Sequence, residues 1–402
     1  MRSSLAIMWS ARAAVCAGLT AALLPAQSAP ATPPASTGAS AAGAAARLQR
    51  VLDSLDALPG ARLHVLVRHL EAGWEAGVRS DAPAPMASVY KLPIALGVLA
   101  LADDGRGALT DTIRVEPRDF APFWSPLARE AGERAARLSI DSALVLMVGL
   151  SDNTIADVLL ANPGRDAINE ALRRRRVQGV VVGDSERGMA LRATGIGAWP
   201  AAVPWSPRAF DSVAATVPTA TRAAARAAFL ADPDNTASPR ALVTLLAQLH
   251  GGALLLQPHT RRLLEILRAS PTGAGKLRAG LPPGTPLAHK TGSGGDGIVS
   301  NDVGLVTLPD GGTLAIAAMV ADYTLPDSSV DARIAAVARA AWAAATQPAP
   351  GAAPDGAHAQ ATGGGSGLRC REYVRCVLSV GDELETRRGL LTRQRVRTGP
   401  FL

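Results

Sequence analysis

Strand-like segments stand at both ends of the globular part of this chain, and helix-forming segments fill the stretch between them. Residues 63–69 and 73–79 alternate apolar and polar side chains, the period expected of half-buried strands. Residues 287–291, 300–308 and 313–322 are also strand-like, and Pro309-Asp310-Gly311-Gly312 supplies a hairpin turn between the last two. Helical patterns begin near residue 45, resume near Ser88 and continue to about Ala171. They return at 240–249, behind the cap-like run Asn235-Thr236-Ala237-Ser238-Pro239, at 259–269 and at 331–344. Residues 177–235, rich in Pro, Gly and Ala, read as irregular. This order predicts an α/β (α+β) fold. One antiparallel sheet is built from both termini, with an all-helical lobe inserted at about 95–280 inside a 45–345 domain.

The flanks read differently. Arg2 precedes an Ala/Leu/Val-rich run at 13–24 and small residues around Ala26 to Ala29, the pattern of a cleaved export signal over 1–28. Pro25 ends that run too soon for a membrane span. Cys16 lies inside it, but Val15 before it is a poor fit to a lipoprotein cleavage site, so release into the periplasm or medium is expected over anchoring. Residues 29–44 read as a disordered leader and 346–367 as a Pro/Ala/Gly linker. The Arg-rich tail 368–402 has too few large apolar side chains to bury a core, and its Cys370 and Cys376 are free to pair in an oxidising compartment.

The formal charge of +7 suggests nucleic acid until it is located. The first 31 residues carry +2 and the last 38 carry +4, which leaves about +1 for the body of the chain. That is no broad basic surface, so nucleic acid is set aside and a small-molecule substrate with a monomeric protein is expected. Arg173 to Arg176 read as cations offsetting the negative end of a helix. The histidines show no paired ligand spacing, so no metal or other cofactor is expected.

Of 41 basic residues only three are lysine, at 91, 276 and 290. Two of them sit in short polar motifs, Ser88-Val89-Tyr90-Lys91 and Lys290-Thr291-Gly292-Ser293. Arginine keeps its proton in a protein, whereas a desolvated lysine can give its proton up and act as a base. Three residues apart on a helix, Lys91 reaches the hydroxyl of Ser88. The same first turn offers free N–H groups to an oxyanion. Taken alone, Ser-x-x-Lys reads better as a helix cap followed by a surface charge. Ser151-Asp152-Asn153 follows 63 residues after Ser88, and by itself reads as another cap. Gly292, on a strand, suits close approach of a ligand to the strand edge.

In this order and on these elements, the three motifs resemble those of class A β-lactamase-like serine hydrolases and penicillin-binding proteins. The resemblance covers about residues 45–345. It implies that Ser88 is acylated with help from Lys91 and that Ser151 passes a proton to the leaving nitrogen. It further implies that Asn153 meets the substrate amide and that Lys290 and Thr291 hold its carboxylate. The N–H groups of Ser88 and Ser293 would form the oxyanion hole, and Phe123 or Trp124 stands as an aromatic wall or as packing.

Two departures accompany the resemblance. The family's deacylating glutamate is followed by two variable residues, Leu and Asn, whereas Glu186 here is followed by Arg187, Gly188, Met189 and Ala190. Glu186 is therefore either that base or an exposed charge beside Arg187. Relatives often carry an arginine on the strand after Lys-Thr-Gly as a carboxylate anchor, but residues 292–302 contain no Arg or Lys. Arg333 is the candidate substitute. Three activities remain open: a β-lactamase, a D,D-peptidase or esterase, and a penicillin-binding sensor whose acyl adduct persists.

Overall fold

The computed structural model describes residues 36–294 and 297–347, with side chains from residue 41 onward. The export signal, Cys16, the 368–402 tail with Cys370 and Cys376, and all but the first two residues of the expected linker lie outside the described residues.

Helix α1 (Ser36–Asp56) leads into β1 (Arg62–His69), β2 (Glu75–Val78) and the short β3 (Ala84–Pro85). A 3-10 turn, Ala87–Tyr90, opens α2 (Lys91–Asp103). There follow β4 (Thr112–Val115), α3 (Pro126–Ala131), β5 (Ala136–Ser139), α4 (Ile140–Leu144), α5 (Asn153–Ala161) and α6 (Arg165–Arg174). Next come α7 (Glu186–Thr194), α8 (Pro207–Ala215), α9 (Thr219–Ala231), β6 (Thr236–Ala237), α10 (Pro239–His250) and α11 (Gln257–Arg268). The chain closes with β7 (Leu287–Ser293), β8 (Val299–Thr307), β9 (Thr313–Ala321) and α12 (Asp327–Thr346).

The main sheet has the order β2-β1-β9-β8-β7 and is antiparallel throughout, so strands from both ends of the chain pair at its centre. Both faces are covered. Leu314, Ile316, Ala318 and Val320 of β9 pack with α1 and α12, whereas Ala315, Ala317 and Met319 join the core of the helical lobe. This is why β9 reads as one apolar run instead of an alternation. Helix α2 is buried from Lys91 to Leu101, the situation of a helix that is apolar all round at the middle of a lobe. Among the described residues no helix is long and apolar enough to cross a membrane.

Three expectations need correction. The expected 29–44 leader overlaps α1, which starts at Ser36, with Ala44 buried against the α12 layer; small side chains let that helix lie close to its neighbour. The inserted lobe is not all helical, because β4 and β5 pair within it. Residues 177–235 are not irregular, since they hold α7, α8 and α9. Helices α7 and α8 have serine caps, Ser185 and Ser206, the latter followed by Pro207 at the first helical position.

Candidate active site

Ser88 lies in the 3-10 turn where sheet and helical lobe meet, and Lys91 is the first residue of α2. The turn is held from three sides. Asn301 of β8 donates through Nδ2 to the carbonyls of Pro85 and Met86, both at 2.9 Å. Asn235 accepts the Met86 N–H on its carbonyl at 2.9 Å. Gly292 of β7 is so close that a Cβ there would stand 2.6 Å from the Met86 carbonyl oxygen and 3.3 Å from the Ser88 nitrogen. The glycine thus admits the Ser88 turn close to the strand edge. Ala87, next to Ser88, has φ of 44°, a strained value for alanine.

Lys91 is fully buried and makes four polar contacts. Its Nζ donates to Ser88 Oγ at 2.9 Å, the Ser151 carbonyl at 2.9 Å and Asn153 Oδ1 at 2.6 Å. It also pairs with Glu186 Oε1 at 2.9 Å. Ser151 follows a π-helical turn, Val145–Gly149, and has φ of 61°, which lifts it out of helical register. Its Oγ accepts from Lys290 Nζ at 2.9 Å. Burial, and then repulsion from Lys91, holds the Lys290 ammonium well below the ordinary lysine range. Thr291 Oγ1 donates to Thr272 Oγ1 at 2.9 Å.

The middle residue of Ser151-Asp152-Asn153 has the capping role. Asp152 accepts from the N–H groups of Ile155 (3.0 Å) and Leu127 (2.8 Å) and from the Ser125 hydroxyl (3.1 Å). It locks α5 against α3. Asn153, with Oδ1 on Lys91 and Nδ2 on the Pro122 carbonyl at 3.0 Å, faces the cleft as a fixed amide.

Glu186 begins α7 and is nearly buried. The carboxylate of Asp157, on α5, accepts the N–H of Glu186 at 2.6 Å and of Arg187 at 3.0 Å. Ser185 caps the same turn by accepting the Gly188 N–H at 3.0 Å. Asn235 supports this loop as well, with Oδ1 accepting from the Gly183 N–H at 2.7 Å. Burial first, and then the charge of Glu186, pushes the Asp157 carboxyl up to about 7.

These groups meet in a cleft of about 740 Å³, lined among others by Ser88, Ser151, Asn153, Glu186, Thr291 and Ser293. Lys91, Lys290 and Gly292 lie behind that lining, in contact with Ser88, Ser151 and the Ser88 turn respectively. Phe123 and Trp124, 62% and 40% exposed, stand on its lining. Phe123 leans edge-on against Phe210 of α8 at 5.4 Å, and Trp124 donates to the Leu150 carbonyl at 2.8 Å.

Two residues change the expected picture. Arg333 is half-buried and donates to the carbonyls of Leu58 (3.1 Å) and Pro59 (2.6 Å), away from the cleft. It cannot anchor a substrate carboxylate. Lys276, the third lysine and outside any motif, does line the cleft. Its Nζ donates to Ser293 Oγ at 2.9 Å and to the carbonyls of Gly292 (3.0 Å) and Asn301 (3.2 Å), with Asp331 at 3.9 Å. Burial lowers its proton affinity while Asp331 opposes that shift. The signal for it was its rarity as a lysine. Asn301 and Asn235 were also missed, since their work is done on backbone atoms distant in sequence.

Residues 44–345 match the model of the "Beta-lactamase enzyme family". The chain belongs to that family. This β-lactamase-family hydrolase, of the class A serine type, is 28% identical over 273 residues to β-lactamase VEB-1 of Pseudomonas aeruginosa, covering 66% of this chain and 79% of that one. It is 26% identical over 263 residues to extended-spectrum β-lactamase PER-1 of the same species, covering 64% and 74%. Its fold resembles the crystal structure of a β-lactamase from Chitinophaga pinensis, with a TM-score of 0.61 and 28% identity over 75% of this chain and 100% of that one.

Proposed function

We propose that this family member hydrolyses the β-lactam amide through an acyl-enzyme at Ser88, with Glu186 as the base of deacylation. The observation that carries the proposal is the continuous path from Ser88 Oγ to Lys91 Nζ to Glu186 Oε1, two contacts of 2.9 Å each.

In acylation, Ser88 Oγ attacks the carbonyl carbon and its proton enters the Lys91–Glu186 couple. The oxyanion is met by the N–H groups of Ser88 and Ser293. The carbon–nitrogen bond then breaks, and the nitrogen takes a proton from Ser151 Oγ, which Lys290 holds in place. The proton held by the Lys91–Glu186 couple then restores the Ser151 hydroxyl and leaves Glu186 a carboxylate again. Lys290, Thr291 and Lys276 together receive the substrate carboxylate. In deacylation, Glu186 takes a proton from water, the resulting nucleophile attacks the acyl carbon, and Ser88 leaves with a proton returned through Lys91. Lys276 answers the missing arginine, and the position of Glu186 beside Lys91 favours turnover over a persistent adduct.

The same proposal includes export to the periplasm or medium, supported by the apolar run at 13–24. Its chemistry is tested by nitrocefin hydrolysis. The wild-type protein turns nitrocefin over and Ser88→Ala does not; equal rates in the two would remove Ser88 from the mechanism.

A further inference from the structure

The segment between α7 and β6 is the part of the chain that the chemistry above leaves without a task, and its last helix reaches the cleft. Phe229 of α9 lines the cleft together with Met189, Ala190 and Ala193 of α7 and with Ile298, just before β8. Three residues earlier, on the same helical face, Arg226 donates to the Gly297 carbonyl at 2.8 Å and pairs with Asp322 at 3.5 Å. Gly297 is itself pressed on the backbone just beyond β9, since a Cβ there would meet the Tyr323 carbonyl oxygen at 2.2 Å. At the other side, α9 lies close on the end of α7: a Cβ on Gly195 would stand 3.1 Å from Thr221 and 3.3 Å from Ala225. Helix α9 therefore bridges the Glu186-bearing helix and the end of the sheet, with its guanidinium engaged and its aromatic ring on the cleft.

We propose that α9 is the specificity element of this cleft: Phe229, held by the Arg226 latch, selects substrates whose acyl group carries an apolar, preferably aryl, side chain. The inference rests on the reading of Ser88 as the acylated nucleophile. With the leaving nitrogen directed to Ser151 and the carboxylate to Lys290 and Lys276, the acyl side chain of a bound substrate has the Glu186 side left to it, which is α7 and α9. That wall is apolar, and an arylacetyl group loses water-exposed surface against it, whereas a bare amine gains nothing.

The test compares kcat/KM for benzylpenicillin and for 6-aminopenicillanic acid, which lacks the acyl side chain, in the wild-type protein and in Phe229→Ala, Phe229→Leu and Arg226→Ala. The ratio of the two constants is read, because the amount of folded enzyme cancels from it. The wild-type ratio favours benzylpenicillin. The ratio falls about tenfold in Phe229→Ala, as expected for loss of one apolar pocket contact. It falls less in Phe229→Leu, and falls in the same direction in Arg226→Ala. An unchanged ratio in Phe229→Ala, with both substrates hydrolysed, overturns the proposal. An unchanged ratio in Arg226→Ala alone overturns the latch. Failure of the wild-type protein to form an acyl adduct with either substrate overturns the Ser88 reading and this inference with it, a result distinct from an unchanged ratio.

Discussion

Glu186 Oε1 sits 2.9 Å from Lys91 Nζ although 95 residues separate them in the chain. The contact exists because α7 is pinned from behind: Asp157 accepts the N–H groups of Glu186 and Arg187. It also joins the two halves of the proposed reaction, since the lysine that contacts Ser88 is also the partner of the carboxylate proposed for deacylation.

Replacing Glu186 by Gln separates those halves. The variant keeps shape and hydrogen bonding but loses the base, so acylation, which keeps Lys91, slows modestly, while hydrolysis of the adduct slows by about 10²–10⁴-fold. Rapid-quench mass measurement of adduct formation and decay checks this; equal slowing of both steps would remove Glu186 from the base role.

Asp157 gives a pH prediction. Its folded value of about 7 lies above the ordinary value of 3.8, so between those limits the folded state binds more protons than the unfolded one. The contribution of this group to stability therefore falls as pH rises from about 4 to 7, and stays low above that. Asp157→Asn keeps an acceptor for the Glu186 N–H and removes the buried charge. Its melting temperature relative to wild type is higher at pH 8 than at pH 5, corresponding to a difference on the order of 1 kcal/mol or more. The same offset at both pH values would contradict the burial argument.

Lys276 is predicted to act on the substrate carboxylate. Lys276→Met removes the charge and keeps the stem, and kcat/KM for a carboxylate-bearing β-lactam falls about 10- to 100-fold, as for loss of a charged hydrogen bond. The methyl ester of the same compound is the control. Equal losses on acid and ester would assign Lys276 only to holding Gly292 and Ser293.

Gly292→Ala tests the close approach of β7 to the nucleophile turn. The added methyl group meets the Met86 carbonyl oxygen at 2.6 Å, and the turn must move. Stability falls by about 1–3 kcal/mol, and acylation falls about 100-fold because Ser88 shifts relative to Lys91. Unchanged acylation in a folded variant would show that the turn tolerates displacement.

Much of this was legible in the sequence because it is carried by local patterns. The strand segments at the two ends, the Ser-x-x-Lys spacing and the Lys-Thr-Gly strand each announce themselves within a few residues. What was lost depends on distance or on weak composition. Helix α9 is rich in alanine and arginine, good helix formers, but it has no side-chain cap and few large apolar residues to mark a buried face, so it escapes notice. Ser206-Pro207 did mark α8, and the Ala/Gly/Ser composition of residues 36–44 hid the first turns of α1, where Ala44 packs with the α12 layer. Asn301 holds the Ser88 turn through backbone carbonyls 215 and 216 residues away, which no local pattern encodes. Glu186 was visible by spacing, but whether it faced the cleft depended on Asp157 and Asn235, which fix its loop through main-chain N–H groups.

The most direct test of the central claim is intact mass spectrometry of the protein mixed with benzylpenicillin and followed over time, beside Ser88→Ala. The account predicts a penicilloyl adduct on the wild-type protein that appears and clears while hydrolysed penicillin accumulates, with no adduct on the variant. An adduct that forms and never clears would contradict Glu186 as a working base. No adduct at all would contradict the β-lactam reading of the cleft.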